Sequence, residues 1–279
     1  MAQSSTALKR TALYDVSAPG GWVFPLRLAD QDAIRGAMVS LSGLSIPLAH
    51  RLQLMVEVSA MLSECPSDFG EVSDSVQSSL MGAHSEEACK EFSVRLSKEM
   101  RQGGDGVSVV AQLVSFCLAQ DSDWGVKKEL SRRWLEGPEA RLGRTESIMS
   151  DPDSAWRKHV SHVEALNAVL PGRLDEFSAR FASNYWTRCF WRAGENTLAH
   201  TQRLLILLGL VRLVIATDPG LYEARGSGRK VLGALFDETA RRVMWACIRA
   251  VESDPVLDAL VDSLDPCADL NETRSLCQV

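Results

Sequence analysis

The chain has 279 residues, 46% of them hydrophobic, which is ample material for a buried core. Its 30 Lys and Arg stand against 36 Asp and Glu, and the net charge of −6 excludes the broad cationic face that nucleic-acid binding requires. The 7 cysteines are odd in number, scattered and without a C-x-x-C pair, which excludes a disulfide framework and speaks against a zinc or iron–sulfur site.

Residues 1–29 lack the apolar run of a signal peptide and read as an extended segment, so the expected location is cytoplasmic. From Asp30, "DQDAIRGAMVSL" sets Ile34, Ala37, Met38 and Leu41 on one helical face. "IPLAHRLQLMVEVSAMLSE" follows, with Pro47 at the first helical position and Leu48, Leu52, Met55, Ser59 and Leu62 aligned. Residues 64–84 read as a loop holding a short helix. Ser85 is placed to cap "EEACKEFSVRLSKEMRQ", which "GGDG" at 103–106 terminates. "VSVVAQLVSFCLAQ" buries Val110, Leu113, Val114 and Cys117, and "SDWGVKKELSRRWLEG" adds a short helix. These elements form a first helical subdomain over 30–137.

Residues 137–150, rich in Gly, Pro and charge, are the expected linker. A second helical subdomain occupies 151–264. Asp151 and Pro152 start its first helix, "PG" at 171–172 ends it, and further helices run from Leu174 to about Arg192 and from Asn196 to Thr217. The last long helix, "GRKVLGALFDETARRVMWACIRAVES", aligns Leu232, Leu235, Phe236, Thr239, Val243, Ala246 and Cys247, and a short one follows at 255–264. Residues 265–279 read as a mobile polar tail. The class is all-α, an irregular bundle of about nine to eleven helices. Its longest apolar run, Leu204 to Ala216, is broken by Arg212 and is too short to span a bilayer, so no membrane association is expected.

The chemistry-bearing residues concentrate between 180 and 212. In "RFASNYWTRCFWRAGEN", Phe181, Asn184, Tyr185, Arg188 and Trp191 recur at i+3 and i+4, the pattern of a polar-lined aromatic pocket. Trp186, Cys189 and Phe190 read as packing. Arg212 lies inside an apolar helix and must be paired there, with Glu57, Asp237 and Glu238 as candidate partners. It is either an internal ion pair or a substrate clamp. His200 and Arg203 are one turn apart. An unperturbed imidazole has its pKa near neutrality, so His200, beside Tyr185, suits acid–base work, although a satisfied helix-start histidine has the same signature.

Other constellations are weaker. His159 and His162 in "HVSH" are neighbours on a helix, but two histidines do not make a metal site, and H-E-x-x-H is absent. "GSGRK" at 226–230 precedes a helix without Walker spacing, leaving only general anion affinity.

The order of "IPLAHRLQLMVEVSAMLSE", "FASNYWTRCFWR", "LLILLGLVRLVIA" and "VLGALFDETARRVMWACIRAV" resembles the helical C-terminal part of the bacterial flagellin lysine N-methylase family, over roughly residues 46–252. The resemblance implies methyl transfer from S-adenosylmethionine to a lysine side chain. That family also carries a cysteine-rich N-terminal segment suggestive of an iron–sulfur cluster. The first cysteine here is Cys65, so no such cluster is expected. Two functions follow as expectations. One is an enzyme modifying a small molecule or peptide, as in specialised metabolism, with Tyr185 and His200 catalytic and Asn184, Arg188, Trp191, Arg203 and Arg212 holding substrate. The other is a non-catalytic ligand- or protein-binding module.

Overall fold

A computed structural model describes residues 28–64, 91, 94, 104–119, 125–188, 196–252, 254–263 and 270–279. Among them every regular element is helical and there is no strand. In chain order the helices are α1 (Leu28–Ser42), α2 (Leu48–Glu64), α3 (Asp105–Ala119), α4 (Gly125–Trp134), α5 (Thr145–Ser150), α6 (Pro152–Val169), α7 (Arg173–Arg188), α8 (Thr197–Ala216), α9 (Pro219–Glu223), α10 (Arg229–Val251), α11 (Pro255–Ser263) and α12 (Leu270–Leu276). Ten of them have seven or more residues. The expected extended segment, apart from its last two residues, and most of the helix expected after Ser85 lie outside the described residues.

Several starts follow from side chains at the chain's own helix boundaries. Asp151 accepts a hydrogen bond from Ser154 N at 3.1 Å, just before Pro152 at the first helical position. Asn196 accepts from Ala199 N at 2.8 Å, and Asp218 from Leu221 N at 3.0 Å. Each cap satisfies a backbone donor that the first turn leaves without an intrahelical partner.

The expected linker is packed structure. After α4 the chain widens into a π-helical turn, Leu135–Glu139, around Pro138. Proline has no N–H to return to the preceding turn, so the regular ladder cannot close there. Gly137 and Pro138 are buried, and a Cβ on Gly137 would lie 3.0 Å from Thr217 Oγ1 at the end of α8. One apolar cluster runs from Ile34 in α1 to Val279, so the two expected helical groups share a core.

The centre of that core is α8, in which every residue except Ala199 is buried. It packs against α2, α3, α7 and α10. Its hydropathy and 20-residue length would suffice to cross a membrane, contrary to the expectation drawn from the shorter apolar run. Here 94% of its apolar window is buried against protein.

The segment 270–279 is also not the mobile tail expected. It forms α12 and the turn after it, with Thr273, Ser275, Leu276, Cys277 and Val279 buried. Two glycines receive it. A Cβ on Gly106 of α3 would stand 2.7 Å from Ser275 O and 2.8 Å from Val279 Cγ2, and one on Gly209 of α8 would stand 3.3 Å from Val279 Cγ1. On propensity alone Gly106→Ala should stabilise α3 by about 1 kcal/mol. The close approach reverses the sign: we expect a net loss of about 1–3 kcal/mol, read as a lower urea midpoint at unchanged m-value.

Candidate functional site

The aromatic helix α7 turns a different side to the protein than its spacing suggested. Asn184 and Arg188 are exposed, and Tyr185 is half-buried. Trp191 lies outside the described residues. Trp186, read as packing, is fully buried. Tyr185 and Trp186 hold the imidazole of His200 between them, with ring centroids 4.9 and 4.7 Å away. His200 is only 1% exposed, so it is wedged among aromatic rings rather than presented to a pocket. One turn on, the buried Arg203 donates to Asp258 of α11 at 3.0 Å.

Arg212 is engaged by groups that the sequence reading did not name. Its NH1 donates to Asp175 Oδ1 at 2.9 Å and to Ser178 Oγ at 2.7 Å, both on α7. Its Nε donates to Val279 O at 2.8 Å. The three expected partners pair elsewhere: Glu57 with Arg274, Asp237 with Arg173, and Glu238 with Arg242. Burial pushes the Arg212 guanidinium below its ordinary pKa, while Asp175 opposes the shift by charge and hydrogen bonding.

His159 completes this inner cluster. Its Nε2 lies 3.2 Å from Val279 O, an acceptor, so Nε2 carries the proton. Nδ1 is then a lone pair, buried and without a hydrogen-bond partner among the described residues. Burial first, and the charge of Arg212 second, push the His159 pKa down to about 3. His162 instead meets Tyr222 edge-on at 6.4 Å, so the two histidines face different neighbours.

The three thiols among the described residues offer no nucleophile poised near neutrality. Burial raises Cys117 and Cys247 to about 12, and it raises Cys277 as well.

The open concavity lies on the other side of α7. A cavity of about 560 Å³ separates α7 from the α1–α2 turn. Asp175, Glu176, Ala179, Arg180 and Ser183 line it from α7, and Val39, Ser42, Pro47, Leu48 and Arg51 from the facing elements. At 100° per residue this lining face is roughly opposite the one carrying Phe181, Asn184, Tyr185 and Arg188. None of the expected site residues that the structure describes lines it.

The cavity combines both charges. Arg51 is fixed by donating Nε to Ile46 O at 2.7 Å and NH1 to Ser42 O at 3.0 Å, which also ties down the α1–α2 turn. Burial lowers its pKa and Asp175 counters that. Asp175 therefore acts on two guanidiniums, Arg212 behind it and Arg51 across the cavity. Arg180 pairs with Glu176 at 2.8 Å on the open side. The signal for this face, an i+3/i+4 run from Asp175 to Ser183, was present in the sequence. What the sequence withheld was the turn that leaves it uncovered.

No family model, curated protein or solved structure matches the chain.

Two outcomes follow from the buried cluster. Asp175→Asn removes the carboxylate from a buried guanidinium and should cost about 1–3 kcal/mol in urea unfolding. Adding Arg212→Met should recover part of that loss, because no buried charge remains. The second outcome is a pH dependence. His159 is neutral in the folded protein down to pH about 3 but takes up a proton near 6.5 when unfolded. The unfolded chain thus binds more protons between those values, and stability must fall as pH drops through that window. His159→Gln should flatten the urea midpoint against pH over the same range.

Proposed function

We propose that the chain is a helical ligand-binding module whose seat is the cavity between α7 and the α1–α2 turn, and that its ligand is a small molecule or peptide carrying both charges. One observation carries this reading: a concavity of about 560 Å³ presents Arg51, Arg180, Asp175 and Glu176 beside two serines and an apolar wall. That volume and that mixture suit a small polar ligand. The fixed cation of Arg51 fits a carboxylate, and Asp175 and Glu176 fit an ammonium.

Binding takes precedence over catalysis because the groups read as catalytic or clamping, His200, Arg203 and Arg212, are buried against protein. Methyl transfer is the second reading. It rests on the resemblance, and it is favoured by the same charge pattern, since S-adenosylmethionine bears an α-carboxylate, an α-ammonium and a sulfonium. A cytoplasmic location is part of the proposal.

Calorimetry against free amino acids, a lysine-containing peptide and S-adenosylmethionine tests both readings. Arg180 is 63% exposed, so Arg180→Glu should leave the melting temperature nearly unchanged while abolishing binding of the carboxylate-bearing ligand. The cavity reading fails if no member of the panel binds, or if binding is indifferent to Arg180→Glu. Binding of S-adenosylmethionine followed by methylation of the peptide would promote the second reading.

A further inference from the structure

A separate cluster sits where the turn after the π-helix, α6 and α9 meet. Tyr222, at the end of α9, is 49% exposed. Arg141 places its guanidinium carbon 5.2 Å from the Tyr222 ring centroid, and Arg225 places its own at 4.5 Å. The imidazole of His162, from α6, meets the same ring at 65°. Three cationic or protonatable groups from three chain segments thus converge on one aromatic ring.

Among the described residues no carboxylate pairs with either arginine, although this is an acidic chain. The nearest carboxylates in sequence are otherwise engaged: Glu136 pairs with Arg132, and Glu139 with Arg144. Glu223, beside Tyr222, is exposed and forms no ion pair among the described residues. Lys158, one turn before His162, donates to Leu142 O and adds a further positive charge.

The cations also feel one another. Burial, then Arg141 and Arg225, lower the pKa of His162, with no compensating acid. Arg141 uses NH1 on Glu136 O at 2.9 Å, which fixes its position. Arg225 Nε is shut off from solvent with no acceptor among the described residues. A buried donor left unmade is costly, and a cation–π contact at a half-exposed ring offsets only part of that cost.

We propose that Arg141, Arg225 and His162 form, around Tyr222, an anion site that takes a phosphoryl group, either as inorganic phosphate or as a small phosphate monoester. Two guanidiniums offer planar pairs of donors that match phosphate oxygens, and the imidazole adds a third direction. A dianion matches their combined charge better than a single carboxylate does. The site shares no residue with the cavity beside α7, so it stands or falls independently of that reading.

The test uses the whole chain at constant ionic strength and neutral pH. Inorganic phosphate, phenyl phosphate and chloride are titrated in turn while the His162 imidazole resonances are followed by NMR and heats by calorimetry. We expect a saturable one-to-one shift of His162 with phosphate, absent with chloride, and an upward move of the His162 pKa in the complex. Arg141→Ala and Arg225→Ala should each weaken phosphate about tenfold or more, a loss equivalent to one charge-assisted contact. Tyr222→Phe should bind nearly as the parent does, and Arg180→Glu should bind unchanged. Tighter binding of phenyl phosphate would identify an ester as the natural ligand, and equal binding would identify the free anion. The proposal is overturned if chloride reproduces the His162 shift, if no saturable shift occurs, or if phosphate binds equally to folded arginine variants. Should an arginine variant fail to fold, the His162 response of the parent chain decides alone.

Discussion

A guanidinium sealed inside an apolar helix has few permitted surroundings, and those of Arg212 organise much of this molecule. Leucine and valine faces tolerate small rotations and slides, because dispersion and desolvation are not directional. Three hydrogen bonds to a planar cation are directional. Asp175 and Ser178 must lie on the side of α7 that meets α8, and Val279 O must reach the Nε of the same cation. The desolvation of the cation is offset only while all of these are in place. Arg212 thereby sets the rotation of α7 and the seat of the segment after α12. The glycines at 106 and 209 leave the space that seat occupies.

The rotation of α7 explains where its functional groups go. With Asp175 and Ser178 turned toward α8, the helical repeat carries Ala182 and Trp186 inward too, and both are fully buried. Tyr185 falls at the margin of that face and rests on His200. Asn184 and Arg188 turn outward, and Glu176, Arg180 and Ser183 turn toward the α1–α2 turn to line the cavity. Asp175 stands where the buried face meets the cavity face. Its carboxylate is half-exposed yet bonded to a buried cation, so a ligand that competes for Asp175 would also alter the pairing at the centre of the core.

What the sequence disclosed was local. Asp151 with Pro152, and Asn196, announce helix starts because a cap bonds to the turn directly after it. The apolar faces of α3 and α10 were legible for the same reason: Val110, Leu113, Val114 and Cys117, or Leu232, Phe236, Val243 and Cys247, recur at the helical period and are all buried. Partners far apart along the chain were not legible. Asp175 lies 37 residues from Arg212, and Val279 lies 67. Periodicity has no information about either separation, so it gives no ground for preferring Asp175 to Glu57, Asp237 or Glu238. The polar composition of 265–279 likewise pointed to a free tail. Only Leu276, Cys277 and Val279 among its last residues bring apolar side chains into the core, and the remaining fit comes from α3 and α8. Glycines inside two strongly apolar helices were the available sign that another backbone comes close.

Charge placement separates the two candidate sites in kind. Most arginines for which the structure shows ion pairs lie beside acids on the same or an adjacent helix: Arg132 and Arg133 share Glu129, Arg180 takes Glu176, and Arg274 takes Glu57. In the cavity beside α7, Arg180 pairs with Glu176, Asp175 with Arg212, and Arg51 is bonded to two backbone carbonyls, so its charged groups are already engaged before any ligand arrives. A ligand there must exchange one set of pairs for another, so its selectivity would come from shape and from the positions of both its charges. Around Tyr222 the rule is broken. Acids outnumber bases in the chain, yet Arg141 and Arg225 both stand over one tyrosine ring, and the π system gives each only a fraction of what a carboxylate would. An anion arriving there displaces no existing partner, and it relieves the repulsion among Arg141, Arg225 and a protonated His162. Binding at that point would strengthen as His162 takes up its proton, whereas binding in the cavity would depend on rearranging the Arg180–Glu176 pair and the contacts of Asp175 with Arg212.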